Sequence, residues 1–241
     1  AEAVASAEAA VREGERLEHP PSLALAWTYG AVLHQLRGDV PRAQEWSDRS
    51  FEITSSEGIA LWMELSRIVR GWSITQTDRS RESEGIELIA RGIDGWKATG
   101  SRLGLPHFLA LYAQSLGSVG EIEPGLTILS HALEQAEETG QHLFRSEIAR
   151  LTGDLLWSRA EQRRDESARE GARAAYELAV REAEAQSLRA NALQAWSALA
   201  QTEPDPTRVK LDLAKVIALY PEDDVVDLDL KEARRQILES E

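Results

Sequence analysis

Cysteine is absent from this 241-residue chain, and methionine occurs once. Without a thiol there is no disulfide framework, no thiolate nucleophile and no cysteine-ligated zinc. The same absence fits a cytoplasmic protein. Aromatic residues make up only 6% of the chain. No apolar run reaches the roughly 18 residues that a membrane-spanning helix needs, so no membrane partner is expected. Basic residues are outnumbered, 27 against 41 acidic ones, for a formal net charge of −14. A surface of that sign repels phosphate, which argues against nucleic acid as a main ligand. No basic stretch introduces an apolar leader at the N-terminus; the chain opens at Ala1 inside a helical pattern and reads as a piece cut from a longer protein.

What is present is enough apolar residue, 42%, to bury a core without covalent staples. Strand signals are scarce: Val, Ile and Thr do not cluster, and no period-two run lasts. Helical spacing dominates instead, as in Leu105, Phe108, Leu109 and Tyr112, or Leu126, Leu129 and Leu133. Gly, Pro and Asp interrupt these stretches at short intervals, which predicts helices of about 12–20 residues joined by tight turns.

The stretches repeat. Two helices whose axes approach closely need a small residue on each, and a bulky one to fill the remaining space. Ala31 is followed in that register by Ala43, Ser47 and Ser50, and Ala113 by Gly125, Leu129 and Ala132. With a two-residue insertion Gly71 leads to Gly85, Ile89 and Gly92; with a seven-residue insertion Gly153 leads to Ala172, Tyr176 and Ala179. Ser197 leads to Val209, Leu213 and Val216. The leading positions recur at intervals of 40, 42, 40 and 44 residues. Such a period marks stacked helix pairs, each burying its neighbour's apolar face.

The expected pairs are 22–37 with 40–55, 58–76 with 81–98, 104–118 with 122–138, 141–160 with 166–187, and 189–202 with 206–219. Residues 1–17 are expected to be the second helix of a preceding unit, and a short helix at 228–239 to close the end. Residues 160–171, AEQRRDESAREG, are polar and charged and are expected to form a loop that is the most mobile internal segment. The fold class is therefore all-α: a right-handed solenoid of about five antiparallel helix pairs, a single domain over 1–241.

These residues resemble a known family. The stretch EGIELIARGIDGWKATGSRLGLPHFLALYAQSLGSVGEIEPGLTILSHALEQAEETG at 84–140 is similar to the C-terminal tetratricopeptide-like (TPR-like) region of large bacterial signalling proteins. Those proteins carry a class III adenylate/guanylate cyclase or transcriptional-regulator domain ahead of a STAND-type or AAA-like ATPase. The resemblance runs on through HLFRSEIARLTGDLLWS at 142–158 and includes HPPSLALA at 19–26, RGWS at 70–73 and DLDLKEARRQIL at 227–238. It departs at 220–226, where YPEDDVV replaces a Gly-containing turn. The resemblance implies a sensing or scaffolding region, without the cyclase and ATPase domains.

Motifs for chemistry are missing. No Gly-x-x-x-x-Gly-Lys-Ser/Thr cradles a phosphate, and no Gly-x-Ser-x-Gly elbow presents a nucleophile. Gly117-Ser118-Val119-Gly120 follows a helix and reads as a turn. His19, His34, His107, His131 and His142 are scattered without metal-ligand spacing; His19, before Pro20-Pro21, shapes a helix start. Arg37-Gly38-Asp39 matches an adhesion tripeptide but is needed for a turn. We expect no enzyme activity, no cofactor and no metal.

The expected activity is binding of a protein or peptide segment, including the parent protein's own ATPase domain, through side chains of successive first helices. The candidate residues are Trp72, His107, Gln114, Glu147, Arg150, Asp154, Trp157, Asn191 and Gln194. In tetratricopeptide repeats these positions commonly face the concave side. Trp72 and Trp157 read equally as core or groove. The alternative is a structural solenoid that docks on its parent's other domains or self-associates. The oligomeric state is left open.

Overall fold

The computed structural model describes residues 2–202 and, beyond them, Leu211, Ala214, Ile217 and Ala218. Ten helices run through them: α1 Glu2–Arg16, α2 Pro20–Leu36, α3 Val40–Ser56, α4 Ala60–Thr77, α5 Glu82–Ala98, α6 Leu105–Ser118, α7 Ile122–Thr139, α8 Arg145–Arg163, α9 Glu166–Ala185 and α10 Arg189–Thr202. The described residues are all-α, in helix pairs consistent with a helical-repeat arrangement. The expected helix at 228–239 lies outside the described residues. Of the expected 206–219 helix only the four isolated positions are described, and each is helical.

The chain divides into two compact units, 1–119 and 120–241. In the first, α2 packs on α3, α3 on α4, α4 on α5 and α5 on α6, with α1 against α2. Turns of three residues between α1, α2, α3 and α4 force each helix to run back along its predecessor. In the second unit α7 packs on α8, α8 on α9 and α9 on α10. The expected third pair is divided between them, α6 in the first unit and α7 in the second.

Caps explain where the helices start and stop. His19 accepts from the Ser22 amide, Asp39 from that of Arg42, and Asp165 from that of Ala168, each satisfying a free amide at a helix N-terminus. Gly140 ends α7 at φ 66°, a left-handed conformation that costs a residue without Cβ nothing.

The small residues of the repeat sit where the helices meet. Ala31, Ala43, Ser47 and Ser50 are fully buried, as are Ala113, Ala132, Ala172 and Ala179. A Cβ built on Gly71 would lie 2.6 Å from the Gly85 carbonyl oxygen, so α4 and α5 touch backbone to backbone. A Cβ on Gly153 would meet the Tyr176 ring at 2.4 Å. Ile89 and Leu129 fill the bulky position in α5 and α7, also buried.

One expectation fails. Residues 160–171 are not a loop: α9 begins at Glu166, where the expected second helix does, but α8 continues to Arg163, and only Arg164 and Asp165 turn the chain. The seven inserted residues lengthen both helices. Ala, Glu, Arg and Gln are strong helix formers, and Arg169 pairs with Glu166 on its own helix and with Glu161 across the turn.

Candidate functional site

The expected site residues fall into two sets with different surroundings. In the first unit Trp72 and His107 are buried, Gln114 is half-buried, and each takes part in a bond between helices. Trp72 is 4% exposed, and its indole N–H donates to Gln114 Oε1 at 2.9 Å, joining α4 to α6. His107 is equally buried, with Nε2 2.8 Å from Gln35 Oε1, joining α6 to α2. Thr75 and Ser115 hydroxyls, 3.0 Å apart, add a second link between α4 and α6. Trp72 thus sits in the core rather than presenting an open anchor. Its polar atom, like the His107 Nε2, is spent inside the unit.

In the second unit the residues stay half-buried. Arg150 on α8 donates through Nε and Nη2 to both Glu147 oxygens, at 2.9 and 2.6 Å, and through Nη1 to Asp154 Oδ2 at 2.7 Å. The other Asp154 oxygen accepts from the Tyr176 hydroxyl of α9 at 2.8 Å. The spacing of three and four residues puts all three α8 groups on one helix face. Two carboxylates around one guanidinium leave the cluster with a formal charge of −1 when all three are ionised.

Burial opposes charge on Arg150, but Glu147 and Asp154 outweigh it and hold the guanidinium protonated well above its ordinary range. Burial pushes the Asp154 carboxyl up, against the opposing pull of Arg150 and the Tyr176 O–H. Burial, with the charge of Asp154, also pushes the Tyr176 hydroxyl up, so it remains a donor. Arg150 is therefore fully engaged by the two carboxylates.

Beside this cluster Trp157 is half-buried, with the Arg169 guanidinium 5.7 Å from its ring centroid. Asn191 and Gln194 on α10 are also half-buried, and α10 packs against α8. The Glu147–Arg150–Asp154 cluster and Trp157 lie on α8, and Asn191 and Gln194 lie on the helix packed against it. Tyr176 and Arg169 were not foreseen among these residues. Both lie on second helices, and only packing brings them to the first-helix face.

No group of three or more His, Cys, Asp or Glu able to hold a metal occurs among the described residues. No described helix is long and apolar enough to cross a membrane.

No family model matches the chain. A stretch of 151 residues, 63% of the chain, is 28% identical to an uncharacterized protein of Rhizobium meliloti (strain 1021), and the chain covers 14% of that protein's length. Among solved structures, that of BtubC (BKLC) from P. vanneervenii is similar, with a TM-score of 0.56 at 16% identity over 97% of this chain and 90% of that one. At that identity the likeness is one of fold.

Proposed function

We propose that the chain is a tetratricopeptide-type binding region, whose α8–α10 face takes a segment of a partner protein. The observation that carries this reading is the contrast between the two units. Trp72 and His107 are buried and bonded between helices in the first, while Glu147, Asp154, Trp157, Asn191 and Gln194 are half-buried in the second. A rigid helical scaffold presents them with little ordering cost on binding. Two carboxylates, a half-covered indole and two carboxamides suit a partner segment with basic and polar side chains. A net charge of −14 attracts such a segment from a distance.

The small coverage of the Rhizobium relative supports a place within a longer polypeptide. The resemblance to repeat regions of cyclase or regulator proteins makes the parent's ATPase domain the first partner to try. The test is calorimetric titration of this chain with that domain, then with the Trp157→Ala and Gln194→Ala variants. About tenfold weaker binding by Trp157→Ala, with helicity and melting temperature retained, supports the reading. Equal affinity in both variants overturns the assigned face.

A second reading, a chiefly structural array without a separate ligand, is favoured by the first unit, where α2, α4 and α6 bond to each other through Gln35, His107, Trp72 and Gln114. Under it, neither variant changes any interaction of the parent protein.

A further inference from the structure

Helix α2 contains no Asp, Glu, Lys or Arg from Pro20 to Leu36, in a chain that is 28% charged. It nevertheless leaves Leu25, Tyr29 and Leu36 at 39%, 46% and 50% exposure, with Leu33 half-buried between them. Steps of four, four and three residues place these side chains on one helix face. The repeat shows what this face does elsewhere. The counterparts of Leu25, Tyr29 and Leu33 are all buried, Leu65, Val69 and Ser73 in α4 and His107, Leu111 and Ser115 in α6, whereas those of Leu36, Gln76 and Ser118, are exposed. Helix α4 has α2 and α3 packed on it, and α6 has α4 and α5.

Helix α1 carries the matching sign. Its Ala3, Ala7 and Ala10 stand forty residues before Ala43, Ser47 and Ser50 of α3, which are fully buried. In α1, Ala3 and Ala10 are exposed and Ala7 is half-buried. The helix is not loosely attached: Gly14 lies so close to α2 that a Cβ on it would be 2.9 Å from the Leu23 Cα. One helix, α2, closes both equivalent faces further along. Its Thr28 hydroxyl lies 2.6 Å from that of Ser50 on α3, and its Tyr29 ring meets Trp62 of α4 at 5.4 Å.

We propose that the exposed faces of α1 and α2 together seat a further helix, the first member of a pair whose second member is α1, supplied by the same polypeptide just before Ala1. The terminal unit of a helical repeat needs a polar outer face to stay soluble. An uncharged α2 that exposes Leu25 and Tyr29 where α4 and α6 are buried has the character of an internal face. The occupant presents an uncharged apolar stripe to α2. It carries a small residue where it crosses α1, as Gly30-Ala31 does where α2 crosses α3 under the Trp46 ring. A charged segment would lose its hydration against α2 with no counter-charge to meet it.

The experiment compares residues 1–241 with the same protein extended by the thirty or so residues that precede Ala1 in its parent. The extended protein is expected to melt several degrees higher, and the amides of α1 and α2 to exchange about tenfold more slowly or better. Ala10→Leu, neutral for an exposed helix position, leaves the melting of 1–241 unchanged and lowers that of the extended protein. Leu25→Lys gives the same split. Exchange in α1 and α2 that does not respond to the extension, with Ala10→Leu neutral in both proteins, overturns the proposal. So does sedimentation of 1–241 as a dimer that Leu25→Lys dissociates, which assigns the face to a second copy.

Discussion

At the scale of single residues, side-chain size governs how near the helices come. Gly71 and Gly85 let two backbones meet, so Gly71→Ala drives a methyl into a carbonyl oxygen that cannot step aside. It is expected to cost about 1–3 kcal/mol by overpacking, read as a lower denaturant midpoint. Ala113→Leu and Ala132→Leu, at two fully buried positions, belong to the same range. His34 makes a separate prediction. It is buried beside the Trp46 ring, and its Nδ1 lies 3.3 Å from Asp39 Oδ2 without hydrogen-bond geometry. Burial lowers its pKa from 6.5; Asp39 opposes this, and Arg42 and Arg37 add to it. As pH falls through 6.5, the unfolded chain takes up a proton that folded His34 refuses, so stability is lost until the folded imidazole also protonates. The melting temperature of the wild type is therefore expected to fall more between pH 7.5 and 5.5 than that of His34→Gln. Parallel curves would exclude this role for His34.

At the scale of elements, the helix boundaries were largely legible, because Pro, Gly and Asp act locally. Pro20 and Pro21 open α2, Gly58, Gly100 and Gly140 take positive φ after second helices, and Asp39 caps α3. The misread element is 160–171. Its polarity suggests a loop, yet polarity alone does not oppose a helix; it only means that the helix is not buried. With α8 and α9 meeting in a two-residue turn, the Asp165 cap matters: Asp165→Ala is expected to destabilise by about 1 kcal/mol. Trypsin is expected to cut after Arg102 before Arg163 or Arg164. Residues 99–104 form a longer connection, and Leu103 is 67% exposed. First cleavage at Arg163 or Arg164 would restore the loop.

For the whole molecule, charge and polarity frame the interactions. Acidic residues outnumber basic ones, 41 to 27, yet the first-helix faces of the first unit carry few of them, and α2 and α6 carry none. Charge on these faces is concentrated at Glu147, Arg150 and Asp154 in the second unit. Binding of a basic partner segment there is expected to weaken steadily as salt rises from about 0.05 to 0.5 M, because the Debye length shrinks from more than 10 Å to a few ångströms. Salt-independent affinity would point to an apolar contact instead. The purified chain is also expected to turn over no ATP beyond a heat-inactivated control, since it has no phosphate-cradling loop.

The repeat, its helices and the register of its small residues were determined by the sequence, since each rests on spacing along the chain. Ala31, Gly71, Ala113 and Gly153 declare a close helix contact wherever they recur, whatever surrounds them. The partners across helices were decided only by the tertiary structure. Trp72 read equally as groove or core, because its neighbour Gln114 lies 42 residues away and only the packing of α6 on α4 brings the two together. The same holds for Tyr176, whose hydroxyl reaches Asp154 because Gly153 admits its ring against α8. Periodicity says which side of a helix is turned inward. Whether that side meets solvent, a ligand or another helix depends on how closely successive pairs stack, and that is set by contacts the linear spacing does not contain.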